Sequence, residues 1–210
     1  MGKKFELTDK FIINAFGVKL FQIKCTKTFK YAKEGDLGGY VEKYNNLDQE
    51  SDAWVFVNAR VFGNAKVYGD ALVYGNAKVY GDAWVCGNVL VCGNAKVYGN
   101  AWVYGNAKVY DDAKVYGDAR LYGDARLYGN ANIENNNNHC GFDCFGSRDR
   151  HTHAYLTKEN KVEIVCGCFR GSIEEFEKKV EETHSGTIYE KQYKAIINVI
   201  KIKFGLTDLE

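Results

Sequence analysis

The residue types that most often carry chemistry are concentrated in the last third of this 210-residue chain. The histidines are His139, His151, His153 and His184, and four of the seven cysteines are Cys140, Cys144, Cys166 and Cys168. Thiolate and imidazole groups are the usual ligands of structural zinc. The four cysteines are therefore a candidate metal site, with neighbouring histidines as further donors.

The metal hypothesis depends on the register of a hairpin that the sequence predicts around Lys158. A two-residue loop would set His153 opposite Cys166 and gather histidines and cysteines on one face. The apolar alternation favours another register, with Ala154 opposite Ile164, which sends them to opposite faces. We therefore predict free thiols, no metal and no cofactor, and keep the cysteine site as the alternative.

A second candidate site combines Ser147, Arg148, Cys168 and His184. These residue types could converge on an anion, or act as nucleophile and base. The plainer alternative is a polar turn, an exposed arginine and a histidine at the negative end of a helix. We predict no catalytic residue, and take these four as candidates for binding a ligand or partner.

The centre of the chain is a strict six-residue array. Its aliphatic positions are Val55, Val61, Val67, Val73, Val79, Val85, Val91, Val97, Val103, Val109, Val115, Leu121, Leu127 and Ile133. No helix of 3.6 residues per turn keeps this phase. A small residue precedes each aliphatic by two positions, so both point inward on a short strand while the flanking residues point outward. One such unit cannot bury its apolar face, so the units must stack.

The unit Val-Tyr-Gly-Asn-Ala-Lys, as at residues 73–78, resembles the left-handed parallel β-helix family of hexapeptide-repeat proteins over residues 53–133. The resemblance implies a left-handed, single-stranded parallel β-helix with about 18 residues per coil. Glycine and asparagine at the corners suit the left-handed backbone conformation of a tight turn. The segment Gly35 to Glu42 resembles the opening of uncharacterised phage and prophage array proteins, and the region after residue 144 resembles a small phage-type domain of unknown role.

The best-known activity in this family is acyl transfer with a histidine general base beside a loop that leaves a coil. This array has no histidine and no interruption among its aliphatic positions. A hexapeptide acyltransferase is therefore the weakest of the functional alternatives, because the proton acceptor is missing from the array.

Stacking by 18 sorts the residues before each aliphatic into three ladders. The first is Trp54, Leu72, Leu90, Lys108 and Arg126; the second is Arg60, Lys78, Lys96, Lys114 and Asn132; the third is Lys66, Trp84, Trp102 and Arg120. Phe62, Tyr80, Tyr98 and Tyr116 line the second ladder, where a nucleotide could stack and pair. Because the chain carries 28 basic and 27 acidic residues, we do not expect a nucleic-acid partner.

The first ladder predicts an apolar surface patch, which usually marks a contact. The candidates for contact between subunits are Trp54, Phe56, Leu72, Tyr74, Leu90, Trp84 and Trp102. Either the N-terminal segment folds over the first ladder or a second subunit covers it. We predict a homo-oligomer, with the trimer that is frequent among hexapeptide relatives as first choice.

The array divides the chain into four parts. Residues 1–52 are predicted as a strand-rich cap, 53–133 as the solenoid, 134–138 as an Asn-rich linker and 139–210 as a ββαα module with a capping box at Ser172 and Glu175. The odd cysteine count argues against a disulfide framework. With no signal-peptide pattern and no membrane-spanning apolar run, we predict a cytoplasmic protein, in the host cell if phage-encoded.

These observations together predict a mainly β, non-enzymatic scaffold of phage or prophage type that presents a C-terminal binding module. An alternative is a phage counter-defence factor that binds a host protein or sequesters a small nucleotide signal.

Overall fold

The computed structural model describes residues 2–207, and these form two compact units that meet in sequence between Gly129 and Asn130. The first unit holds an N-terminal β segment and a parallel solenoid. The second holds an antiparallel sheet and two helices. Each unit is described by itself below.

The N-terminal segment begins with β1 (Phe5–Ile13), β2 (Lys19–Cys25) and β3 (Leu37–Val41). β1 pairs antiparallel with β2, and β2 with β3, while β3 pairs parallel with the solenoid strand that contains Val61. Residues 1–52 are thus strand-rich, as predicted. Gly39 lies so close to the first coil that a Cβ there would be 2.3 Å from the Phe56 carbonyl oxygen, which gives this glycine a packing reason.

The solenoid consists of two-residue strands separated by corners. They are β4 (Trp54–Val55), β5 (Arg60–Val61), β6 (Lys66–Val67), β7 (Leu72–Val73), β8 (Lys78–Val79), β9 (Trp84–Val85), β10 (Leu90–Val91), β11 (Lys96–Val97), β12 (Trp102–Val103), β13 (Lys108–Val109), β14 (Lys114–Val115), β15 (Arg120–Leu121) and β16 (Arg126–Leu127). They form three parallel faces in the orders β16-β13-β10-β7-β4, β15-β12-β9-β6 and β3-β5-β8-β11-β14.

Each strand pairs with the equivalent strands of the coils before and after it. Val97, for example, lies in register with Val79 and Val115, and the Tyr98 amide donates to the Val115 carbonyl at 3.0 Å. The aliphatic positions and nearly all of the small residues before them are completely buried. The predicted parallel β-helix, its inward phase and its coil length are therefore confirmed.

The corners divide two tasks between glycine and asparagine. Glycines such as Gly99 (φ 68°) adopt the left-handed conformation, as predicted. Most corner asparagines do not; Asn58 (φ 71°) is the exception, beside Val57 in the glycine position. The asparagine side chains bond along the stack instead: Asn100 Nδ2 donates to Asp118 Oδ1 at 2.9 Å. The expectation that asparagine serves the corner backbone is thus wrong for most positions.

The second unit begins with the short strand β17 (Asn132–Ile133). A four-stranded antiparallel sheet follows in chain order, with β18 (His139–Phe145), β19 (Arg150–Leu156), β20 (Val162–Cys166) and β21 (Phe169–Gly171). The helices are α1 (Ile173–His184) and α2 (Ile188–Lys203), and short 3-10 turns span Tyr44–Asn46 and Asn136–Asn138.

The predicted hairpin register is confirmed, because Ala154 pairs with Ile164. The capping box of Ser172 and Glu175 at the start of α1 is confirmed as well. The predicted ββαα module has two more strands than expected. Strand β18 precedes the predicted hairpin, and β21 is separate because a turn at Gly167 (φ 61°) interrupts the second predicted strand. The core of this unit consists of Ala154, Ile164, Ile173, Phe176, Val180, Tyr193, Ile196, Ile197 and Ile200.

Candidate functional site

The four C-terminal binding candidates lie on separate turns and helix ends. Ser147 and Arg148 are exposed between β18 and β19, Cys168 is exposed between β20 and β21, and His184 is half-buried at the end of α1. In the described part of the chain, no hydrogen bond, ion pair or ring contact joins any two of them. These four side chains make no direct contact with one another, and their role in binding stays a prediction.

His184 packs on an aromatic residue of α2. Its ring stacks on Tyr193 with centroids 5.5 Å apart. The Tyr193 hydroxyl lies 3.8 Å from Cys166 Sγ, which also accepts from the Thr152 hydroxyl at 3.2 Å. Burial first, and then Cys166, raise the pKa of Tyr193 to about 12. The phenol stays protonated near neutral pH, so this contact is a structural polar link between sheet and helix.

The structure contains a pair of buried histidines, His139 and His153, that was not predicted from the sequence. His139 Nδ1 lies 3.1 Å from His153 Nε2, and both side chains are buried. A hydrogen bond between these atoms requires at least one neutral imidazole. His151 Nδ1 contacts Asp143 Oδ1 at 2.6 Å. The two histidines come together only because β18 pairs with β19, and β18 was not predicted. In the sequence, only the alternation of His151, His153 and Tyr155 indicated that His153 lies on one face of a strand.

The cysteine metal site predicted as an alternative does not form. Thr152 lies opposite Cys166, and His153 lies opposite Val165. Burial raises the pKa of the Cys140 thiol to about 11, so it is a protonated thiol and a poor ligand at neutral pH. Over residues 2–207, no three histidine, cysteine or acidic side chains are placed to hold a metal ion. The cysteines of this range are free.

On the first ladder, the N-terminal segment covers the aromatic end. Trp54 is 1% exposed, with Phe29 at 5.3 Å and Phe5 at 6.4 Å between ring centroids. Of the two alternatives left open for this ladder, intramolecular cover is thus the one found at Trp54. Leu72 and Leu90 remain half-buried and line a groove of about 370 Å³ beneath Tyr31.

The remaining contact candidates of this face are half-buried. Phe56 and Tyr74 meet edge to face with ring centroids 6.3 Å apart. Their role between subunits stays a prediction.

The second ladder is a column of cations. Arg60, Lys78, Lys96 and Lys114 occupy the same position on successive strands of one face. Neighbouring strands lie about 4.8 Å apart, so the column is about 14 Å long. Among the described residues, none of the four takes part in an ion pair or a side-chain hydrogen bond. Desolvation, followed by Arg60 and Lys96, lowers the pKa of Lys78, as expected for neighbouring like charges.

The aromatic column beside these cations presents ring edges. Phe62, Tyr80, Tyr98 and Tyr116 stack with centroids 4.9–5.0 Å apart and planes within 7°. Rings stacked on one another have their faces occupied, and Phe16 also packs against the first two. A base cannot lie flat on such a column, so the stacking surface considered from the sequence is not available here.

The third ladder is the most apolar exposed part of the solenoid. Trp84 and Trp102 stack with centroids 5.1 Å apart and planes 3° apart. Cations lie over the two ends of the stack: Lys66 Nζ is 5.0 Å from the Trp84 ring, and the Arg120 guanidinium carbon is 5.6 Å from the Trp102 ring. Trp102 is 43% exposed.

Beside the tryptophans, the column of Tyr68, Tyr104 and Tyr122 lacks one ring, because Cys86 replaces tyrosine there. A recess of about 340 Å³ lies at this place, lined by Tyr68, Trp84, Cys86, Trp102, Tyr104 and Arg120. Tyr104 stacks on Tyr122 at 5.7 Å, and Tyr68 is turned edge-on toward Trp84 at 6.1 Å. Burial first, and then the Cys86 thiol, raise the pKa of Tyr68 to about 12.

A second cysteine, Cys92, replaces a tyrosine in another column. It is only 7% exposed, whereas Cys86 is half-buried. A hydrogen bond to the Cys92 thiol first, and then burial, raise the pKa of Tyr74 to about 12, and a hydrogen bond to the Cys86 thiol also contributes to the raised pKa of Tyr68. The two positions therefore differ in their exposure rather than in their tyrosine neighbour.

Neither helix in the described range has the length and apolarity that crossing a bilayer requires. No protein-family model and no curated protein matches the chain.

Proposed function

We propose that the protein is a non-enzymatic binding scaffold whose solenoid presents a column of cations to a linear polyanion. The observation that carries the proposal is the ladder of Arg60, Lys78, Lys96 and Lys114, which stands in strict register without an acidic partner in the described chain. The solenoid supplies the spacing, and the ladder supplies the charge.

Like charges on neighbouring strands repel. Burial lowers the pKa of Lys78 first, and the charges of Arg60 and Lys96 lower it further. Folding therefore retains an unfavourable interaction that an anionic ligand would remove. The lysine stems lie along the sheet while their ammonium groups stay in water, so a polymer can approach without displacing other side chains.

The tyrosine column lies beside the cations. Tyr80, Tyr98 and Tyr116 stack face to face along the solenoid. A cation row beside a row of ring edges suits a chain of phosphate, sulfate or carboxylate groups. Since the rings stack on one another, recognition would use charge more than base stacking, which is consistent with our expectation that nucleic acid is not the specific partner.

The test measures binding of inorganic polyphosphate, with a single-stranded oligonucleotide as a second polyanion. Four contacts predict a salt dependence of log K against log salt with a slope of about −3. Changing Lys78, Lys96 and Lys114 together to Gln should abolish binding. The matched control changes Lys158, Lys161 and Lys178, which are exposed in the second unit, and should keep it. Equal loss in both triple variants would show that only net charge matters.

We also propose a phage or prophage origin, a cytoplasmic location, self-association as a trimer and a C-terminal module that binds a host protein. Apolar side chains left exposed, Trp102 on the solenoid and Val199 and Ile202 on α2 (43%, 49% and 52% exposed), support self-association. Light scattering of the full chain tests it; a monomer at all concentrations would contradict it.

A further inference from the structure

We infer that the recess at Cys86 binds one planar aromatic ring that carries an anionic group. This inference concerns a different face from the cation column and does not depend on the proposed polyanion binding. It uses the vacancy in the tyrosine column, the tryptophan wall beside it and the cation at its edge.

The vacancy has the dimensions of a ring because the solenoid itself stacks rings at this interval. Elsewhere on the solenoid, Tyr80 and Tyr98 lie 4.9 Å apart with parallel planes. In the column of Tyr68, Tyr104 and Tyr122, the first two tyrosines are two coils apart, which is about 9.6 Å at the usual strand spacing. Cys86 leaves the level between them without a ring, so a ligand ring can take the place that tyrosine has in other coils.

The walls favour an aromatic group over an aliphatic one. Tyr104 has one face on Tyr122 and the other toward the level of Cys86. Tyr68 presents its edge, and the stacked Trp84 and Trp102 form the side. A ring placed there would have an offset-stacked partner and edge-to-face partners, the two arrangements that aromatic pairs prefer. The volume of about 340 Å³ leaves space for a fused ring.

The charge at the recess favours an anion. Arg120 lines it, held over the Trp102 ring at 5.6 Å, and no acidic side chain of the described chain lines it. Guanidinium groups bind phosphate and carboxylate through two parallel hydrogen bonds. The ligand class is therefore an aromatic anion, with either a phosphate, as in a nucleoside monophosphate, or a carboxylate, as in an aromatic acid.

Tryptophan fluorescence of the full chain provides the readout, because Trp84 and Trp102 adjoin the recess while the third tryptophan, Trp54, is buried on another face. The probes are adenosine monophosphate and adenosine 5′-carboxylate, which carry the same ring with either anion, with adenosine and ribose 5-phosphate as the ring alone and the anion alone. We expect saturable quenching by at least one aromatic anion, about tenfold tighter than by either fragment. Which of the two binds more tightly identifies the anionic group.

The decisive variant is Cys86→Tyr, which completes the column with the residue found in its other coils. It should fold as the parent does and weaken binding at least about tenfold. Cys168→Tyr adds the same ring at an exposed cysteine of the second unit and is the matched control, with binding unchanged. Cys86→Ser keeps the recess open and should also bind, which separates the vacancy from thiol chemistry.

Arg120→Gln should remove the preference for the anion over the neutral ring. The inference is overturned if neither aromatic anion quenches at about 1 mM, or if Cys86→Tyr binds as tightly as the parent. An equal loss in Cys168→Tyr would overturn it too, since it would show that the effect does not depend on filling the recess. Loss of polyanion binding in the lysine variants leaves this result unchanged.

Discussion

The solenoid and the C-terminal unit reach the same degree of burial through opposite kinds of contact. In the solenoid a residue's partners lie one coil before it and one coil after it, as Val79 and Val115 do for Val97. In the C-terminal unit Ala154 of β19 shares one core with Ile200 of α2, 46 positions later. A repeated local rule thus builds the first unit, whereas a single set of long-range contacts builds the second. The two should differ in how they fail.

The largest expected effect is that of a charge in each core. Val97→Asp puts a carboxylate between two buried valines and should cost several kcal/mol, enough to abolish the solenoid transition. Ile164→Asp should abolish only the unfolding transition of the C-terminal unit. Tryptophan fluorescence reports on the first unit, which contains all three tryptophans, and helical circular dichroism reports on the second.

Tyr98→Ser is the control for Val97→Asp, because Tyr98 points outward and is only half-buried. It should shift the melting temperature slightly. Equal damage by these two neighbouring substitutions would contradict the inward and outward phase of the solenoid. If Ile164→Asp removes both transitions together, the two units do not unfold separately.

Glycine substitution sharpens the comparison. Gly99 (φ 68°) and Gly186 (φ 75°) both have left-handed backbones, so alanine should cost about 1 kcal/mol at either place. At Gly99 the added Cβ would also lie 3.0 Å from the Gly117 amide nitrogen of the next coil, whereas nothing lies within 4 Å at Gly186. Gly99→Ala should therefore be the more destabilising by roughly another 1 kcal/mol. Denaturant midpoints measure this, and equal costs would show that the coils can move apart.

The asparagine columns allow a smaller test. Asn100 lies between Asp82 and Asp118, which share its column, so Asn100→Asp would stack three carboxylates. We expect about 0.5–1 kcal/mol of destabilisation at neutral pH and low salt. The penalty requires ionised carboxylates, so it should disappear as acid protonates them and weaken as salt screens them. Asn198→Asp, exposed on α2, should be neutral within about 0.5 kcal/mol.

The dependence of stability on alkaline pH should have opposite signs in the two units. Burial lowers the pKa of Lys4 from 10.5 to about 8, while its ammonium group donates to the carbonyls of Ser51 (2.6 Å) and Ala53 (2.8 Å). The unfolded chain holds this proton longer, so the Lys4 contribution to stability rises between pH 8 and 10.5, by at most about 3 kcal/mol.

Burial raises the pKa of Cys140 from 9.0 to about 11, so its contribution is present below pH 9 and is lost as the pH rises toward 11. The measurement subtracts the stability curves of Lys4→Met and Cys140→Ser from that of the parent. Difference curves with the same slope would contradict the assignment.

The sequence predicts the solenoid far better than the C-terminal unit, and the comparison explains why. The six-residue period of Val55 to Ile133 carries its own phase, so the inward face could be predicted without any partner. The hairpin register at Ala154 was predictable because apolar alternation specifies it locally. Strand β18 was not, because His139 to Phe145 has no clear alternation and is a strand only through pairing with β19.

The candidate sites show the same limit. That a tyrosine is missing at positions 86 and 92 is evident in the sequence, but whether a neighbour fills the gap is not. Cys92 is nearly buried, while a recess lies at Cys86. Whether Arg148 and His184 act together could not be predicted from residue types, because their positions depend on turns and helix ends that have no periodicity, and no contact joins their side chains in the described chain.

The strict register between coils also governs how the array can change in length. Insertion of one whole coil would keep every column intact, so the cation column and the Cys86 recess would both survive. Insertion of a single hexapeptide would keep the valines inside but move each later hexapeptide to the next face, breaking the column of Lys78 and Lys96 into pieces. Insertion of one residue would turn the core outward. Insertions that keep the surface columns must therefore be whole coils, whereas insertions that keep only the fold can be single hexapeptides.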